Sequence, residues 1–154
     1  MRIKSKKPIK RKSAHQKLVD EADAWATAIA FKIYGERCIL AHIPNVRCGG
    51  GLQGAHILRK GGMYASIRYH EDNRLPICRN HHLFWAHLYE HEFYQWVEVT
   101  FPGRIERLKQ IARETSAKFD MKELICVLKH EWKKEPDPPG REVKYMPIPP
   151  ELPF

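Results

Sequence analysis

Between His56 and His82 the chain places Gly54-Ala55-His56-Ile57-Leu58-Arg59, then Asp72-Asn73-Arg74-Leu75, then Cys78-Arg79-Asn80-His81-His82. A histidine, an asparagine and a second histidine follow one another, with a cysteine close to the last. Six of the nine histidines lie between His56 and His91, so the metal-binding side chains are concentrated in one short stretch. These residue types at these intervals suit a small metal-dependent site for phosphodiester chemistry. Cys78 and His81 form a C-x-x-H knuckle, a spacing that lets thiolate and imidazole reach one tetrahedral ion, and both are good zinc donors. With Cys38 and Cys48 upstream, the expected structural zinc set is Cys38, Cys48, Cys78 and His81, with His42 as the reserve ligand. Cys126 is expected to be inert packing.

The elements that must position these residues follow from periodicity. From about Ala14 to Tyr34, Leu18, Ala22, Trp25, Ala26, Ile29, Ala30 and Ile33 recur at three- and four-residue steps, which predicts an amphipathic packing helix ended by Gly35. After it, helical periodicity gives way to glycines and short apolar runs. Gly49, Gly50 and Gly51 make a permissive turn before a strand over 52–58, and a long connection opened by Gly61 and Gly62 leads to a second strand over 74–77 and a helix beginning near Arg79. A strand, loop, strand, helix module of this size cannot hold itself by burial alone, so a metal crosslink is physically expected. Leu83, Phe84, Trp85, Leu88, Phe93, Trp96 and Val97 predict an aromatic-rich helical region packed on the strands. Pro102-Gly103 breaks the pattern, Ile105, Leu108 and Ile111 start another helix, and Asp120 caps a last one with Leu124, Ile125, Leu128 and Trp132 on its buried side.

At 154 residues and 43% apolar composition, the chain has the size of one domain with one modest core. No run approaches the roughly 18–20 apolar residues of a membrane span, and the N-terminus lacks the apolar core of a secretory signal. A soluble, cytoplasmic protein is therefore expected, with Cys and His serving zinc rather than disulfides. The net charge of +9 points to a polyanionic partner, and seven of those charges sit in residues 1–14, which contain no acid. Residues 1–13 are read as a disordered basic arm and 14–134 as a single domain. Residues 135–154, with seven prolines, form a tail that resists helix and sheet.

The segments CGGGLQGAHILRK, SIRYHEDNRLPICRNHHLFWAH and EFYQWV, within about 37–99, resemble the HNH endonuclease family in its zinc-containing form common in bacteriophage genomes. The resemblance implies an α+β fold, a small zinc-stabilised ββα-metal module packed among several α-helices. It implies a DNA endonuclease that hydrolyses phosphodiester bonds with a His-activated water. His56 falls on the general base, Asn73 on the residue that holds the loop and orients the base, and His82 on the ligand of a catalytic divalent ion such as Mg2+, Mn2+ or Ni2+. Many family members carry Asp or His immediately before the base, as a second metal ligand, whereas this chain has Ala55; His87, His91 or water are the replacements. His87 and His91 lie five and nine residues beyond His82, spacings that do not place both on one α-helical face.

Arg59, Lys60 and Arg68 are placed to contact backbone phosphates, and no base-reading module is present, so weak sequence preference is expected. DNA is the expected partner, with phage or host DNA-processing proteins beside it. Two alternatives stand: a catalytically weak or inactive zinc-stabilised DNA-binding protein, and a recombination or junction-processing nuclease. Deleting residues 1–12 is expected to weaken DNA binding and flatten its salt dependence. An unchanged slope of affinity against salt concentration would reject a role for the arm.

Overall fold

The computed structural model describes residues 11–116 and 118–134, so most of the expected basic arm and the proline-rich tail lie outside the described residues. The fold is α+β: a two-stranded antiparallel sheet set among helices. Among the described residues no helix is long and apolar enough to cross a membrane.

Helix α1 (Ala14–Tyr34) has the bounds its periodicity predicts. The Ser13 hydroxyl accepts from the Gln16 N–H, satisfying one of the orphan amides of the first turn. Gly35, at φ 84°, ends the helix with its N–H on the Phe31 carbonyl. Ala22, Ala26 and Ala30 keep the buried part of α1 small, and the sheet meets the helix at Asp23 and Thr27.

Strand β1 (Leu52–His56) runs antiparallel to β2 (Arg74–Cys78), with Leu52 opposite Cys78, Gly54 opposite Pro76 and His56 opposite Arg74. Gly54 is where the hairpin meets α1: a Cβ there would stand 2.5 Å from Thr27 Oγ1 and 2.9 Å from Arg74 Cδ. Pro76 is tolerated because a two-stranded sheet has only edges, and its carbonyl accepts from the Ile39 N–H. The first strand stops at His56, two residues short of the predicted end. Beyond it the Asn73 side chain takes over the pairing, accepting from the Leu58 N–H and donating to the Leu58 carbonyl.

The predicted helical region after the sheet is broken. A short α2 (Arg79–His81) passes into a π turn (His82–Ala86), closed by the His87 N–H on the His82 carbonyl, and α3 begins only at Glu90 (Glu90–Thr100). Trp85, Phe93, Trp96 and Val97 still reach the main core, where they meet Ile39, Leu40, Ile57, Leu75 and Ile77. Gly103, at φ 72°, turns the chain into α4 (Arg104–Glu114), and the Asp120 carboxylate caps α5 (Met121–Lys133) by accepting from the Lys122 and Glu123 N–H groups. Ile125 and Leu128 bury against α1 in a second core, while Trp132 lies partly exposed with its ring edge-on to Trp25. Cys126 is exposed on α5 instead of packed, because it falls one residue past Ile125, off the buried stripe.

Replacing Gly54 by alanine is expected to destabilise the protein by about 1–3 kcal/mol through overpacking against α1. Gly61→Ala, where a Cβ meets nothing within 4 Å, serves as the control and should shift stability by less than about 0.5 kcal/mol. Equal denaturant midpoints for the two variants would contradict the close α1–hairpin contact.

Candidate metal centre

Four ligand atoms converge where the loop after α1 crosses the start of α2: the donor atoms of Cys38, Cys48, Cys78 and His81 all lie within 4.8 Å of one another. His81 Nδ1 stands 3.7, 3.5 and 3.2 Å from the sulfurs of Cys38, Cys48 and Cys78. A zinc ion bound tetrahedrally by sulfur and imidazole nitrogen sets S···N edges of about 3.6 Å, so the set has the size of the ion. His81 is fully buried, its Nε2 has no hydrogen-bond partner among the described residues, and its Nδ1 is turned to the three sulfurs. The residues fit zinc.

The backbone around these ligands explains how distant cysteines meet. Gly50 and Gly51, at φ 77° and 82°, carry the chain over the start of α2, where the Arg79 and Asn80 N–H groups donate to the Gly51 and Gly49 carbonyls. The Cys78 N–H donates to Cys38 Sγ, and the Asn80 amide donates to the Arg47 carbonyl beside Cys48. Burial pushes the Cys38 thiol up to about 12. Burial also acts to raise Cys78, but the His81 and Gly49 backbone groups and the His81 ring outweigh it and hold that thiol down at about 6. A zinc ion bound here would displace the thiol protons that remain. His42, the reserve ligand, is not in the set; its ring lies tilted against Trp96.

A groove of about 440 Å³ opens beside this cluster, lined by His56, Arg59, Lys60, His82, His87 and Glu90 among others. His56 sits at the end of β1. Its Nε2 is 3.0 Å from the Arg68 carbonyl and 2.9 Å from the Arg74 guanidinium. The carbonyl can only accept and the guanidinium can only donate, so Nε2 stands between one acceptor and one donor. Burial first, then the Arg74 charge, hold His56 down to about 4, so the ring is neutral through the physiological range. Asn73 is fully buried and bonds the Leu58 N–H, the Leu58 carbonyl and the Ile67 carbonyl, which fixes the segment leaving His56. His82 opens the π turn, and its Nδ1 is 2.9 Å from Gln53 Oε1.

The three basic residues expected at phosphates are placed differently from one another. Arg59 and Lys60 are exposed on the groove, Arg59 in a loose ion pair with Glu90 at 3.3 Å. Arg68 is instead partly buried and committed to Asp23 of α1, with Nη2 2.6 Å from Oδ2, so it serves the interior of the fold before any phosphate. It also lines a second groove, with Lys60, His15, Tyr69 and Phe119.

Asp23 and Arg74 are the residues that periodicity and motif did not single out. Asp23 accepts from Arg68 and Arg74 together, and Thr27 Oγ1 takes a further bond from Arg74. Their one sequence signal is two polar residues four apart beside the small-residue face of α1. His87 comes close to His82, with ring centroids 4.4 Å apart and an edge-on angle of 68°. The expectation that His87 and His91 do not share one face with His82 rested on α-helical geometry, and between His82 and His87 the π turn replaces that geometry.

Comparison with protein-family models finds no matching family, and comparisons with curated proteins and with solved structures find no match either.

Purified protein is expected to carry about one tightly bound zinc per chain, and Cys78→Ser to lose both the zinc and the cooperative thermal transition. Metal analysis together with melting before and after chelation checks this. A metal-free protein whose melting is unaffected would refute the centre.

Proposed function

We propose that the chain is a zinc-braced, metal-dependent DNA endonuclease of the HNH type, with a ββα-metal module formed by β1, β2 and the α2–π-turn segment. The observation that carries this reading is the arrangement of His56, Asn73 and His82. His56 and His82 line one groove, and Asn73 bonds the segment that leaves His56. In chain order, His56 ends β1, Asn73 immediately precedes β2, and His82 directly follows His81 of the Cys/His cluster.

In the proposed reaction, the neutral His56 imidazole accepts a proton from a water in the groove. The water oxygen bonds to phosphorus, the bond from phosphorus to the leaving sugar oxygen breaks, and that oxygen is protonated from solvent. A neutral imidazole is required for the first step, and the buried, Arg74-facing position of His56 keeps it neutral. Asn73 holds the backbone at Leu58, two residues beyond the base, so the ring is presented from a fixed strand end. Arg59 and Lys60, exposed at the groove, supply cationic contacts for the backbone on either side of the cut. A divalent ion bound at His82 would polarise the phosphate and stabilise charge on the leaving oxygen.

One observation favours a second reading, a DNA-binding protein without turnover. Ala55, only 1% exposed, offers no ligand immediately before the base. Nicking of supercoiled plasmid in Mg2+, Mn2+ or Ni2+ separates the two. The parent protein is expected to nick, and His56→Ala to lower the rate by about 10²–10⁴-fold. Equal rates would remove His56 as the base, and DNA binding with no nicking in any of the three ions would leave the second reading.

A further inference from the structure

We propose that His82 and His87 together hold one cation in the groove, that His87 supplies the ligand absent at Ala55, and that this pair selects a transition ion such as Ni2+, Co2+ or Mn2+ over Mg2+. The inference deepens the nuclease reading by naming the cation class of its site.

Backbone geometry comes first. A five-residue step on an α-helix turns through well over one full turn, whereas the π turn closes on the i→i+5 bond from the His87 N–H to the His82 carbonyl at 3.1 Å. Both imidazoles therefore lie on the same side, at a centroid distance of 4.4 Å. Two imidazoles occupying adjacent positions on one cation, through nitrogens about 2.0–2.1 Å away, have centroids roughly 4.5–5 Å apart. The observed spacing needs only a small adjustment to meet that.

Ring orientation is the second observation. Gln53 Oε1, 2.9 Å from His82 Nδ1, accepts the proton of that nitrogen and leaves the Nε2 lone pair free. A carbonyl or carboxylate behind the far ring nitrogen is the usual outer partner of a metal-binding histidine, fixing both its tautomer and its direction. Gln53 projects from β1 on the same face as Ala55, two residues on, so the sheet supplies an orienting group where it supplies no ligand.

Ligand chemistry then sets the preference. Glu90 lines the same groove but is engaged by the Tyr94 hydroxyl at 2.9 Å and by Arg59. Two neutral imidazoles with solvent completing the shell suit Ni2+ and Co2+ and, less tightly, Mn2+, while Mg2+ favours an oxygen shell and parts with its water reluctantly.

The test is calorimetric titration of the zinc-loaded full chain, with zinc content measured before and after. The parent protein is expected to bind one equivalent of Ni2+ without losing zinc, and millimolar Mg2+ to leave that affinity unchanged. His87→Ala is expected to weaken Ni2+ by at least about 10–100-fold while retaining the zinc. His91→Ala, an exposed α3 histidine whose ring bonds Gln95, should bind as the parent does. Unchanged Ni2+ affinity in His87→Ala, an equal loss in His91→Ala, or Mg2+ competing on equal terms would each overturn the proposal. Failure of the nuclease reading shows differently: the His87-dependent Ni2+ site persists while plasmid stays uncut.

Discussion

A single carboxylate holds the two halves of this fold together. Asp23, on the face of α1, receives the guanidinium of Arg74 from β2 and that of Arg68 from the loop before it. Arg74 is 2% exposed, so its charge has left water and depends on this partner; removing one member of such a pair costs about 3–5 kcal/mol. Burial draws Arg74 below its ordinary value, and the hydrogen bond and charge of Asp23 act against that shift. Burial likewise acts to raise Asp23, but Arg68 and Arg74 outweigh it and keep the carboxyl below its usual range. The pair thus stays ionised above that range and weakens only as acid protonates Asp23. Because Arg74 also faces His56, the clamp that docks the helix on the hairpin is the same one that sets the environment of the proposed base.

Two other ties act on the same small sheet from different sides. The Cys/His cluster joins the loop after α1 to the start of α2, and Arg104 of α4 reaches Asp72 and the Tyr34 hydroxyl while its guanidinium lies over the Phe101 ring. Asp72 precedes Asn73, so α4 steadies the residue that fixes the end of β1. A sheet of five residue pairs has too little area to define its own position. Its placement comes from these polar ties, which are directional where apolar packing is not.

What was legible in the sequence was local structure and, over longer range, ligand chemistry. Ser13 and Gly35 bound α1, Asp120 caps α5, and the Cys38, Cys48, Cys78 and His81 set comes together as their types and spacing imply. The contacts that escaped it are those made across the chain. Asp23 meets partners 45 and 51 residues away, and nothing in α1 periodicity distinguishes an acid facing a buried arginine from one facing water. Strand β1 stops early because an asparagine amide, not a neighbouring strand, continues the pairing. The π turn was hidden for a related reason: the apolar pattern through Trp85 and Phe93 is compatible with unbroken helix, and only the backbone shows the extra residue in the turn. Cys126 shows how one step around a helix separates core from surface.

The packing of α5 alongside α1 imposes an order on synthesis. The four cluster residues have all been made once the chain reaches residue 81, and β1 and β2 are complete by residue 78, so the crosslinked hairpin can close while later helices are still on the ribosome. Helix α1, made first, must wait: the side of it formed by Ala22, Ala26 and Ile29 meets Ile125 and Leu128 only after α5 emerges. Of the described helices, the earliest is therefore the last to be fully covered, and during that interval its apolar side is open to chaperones or to misassembly.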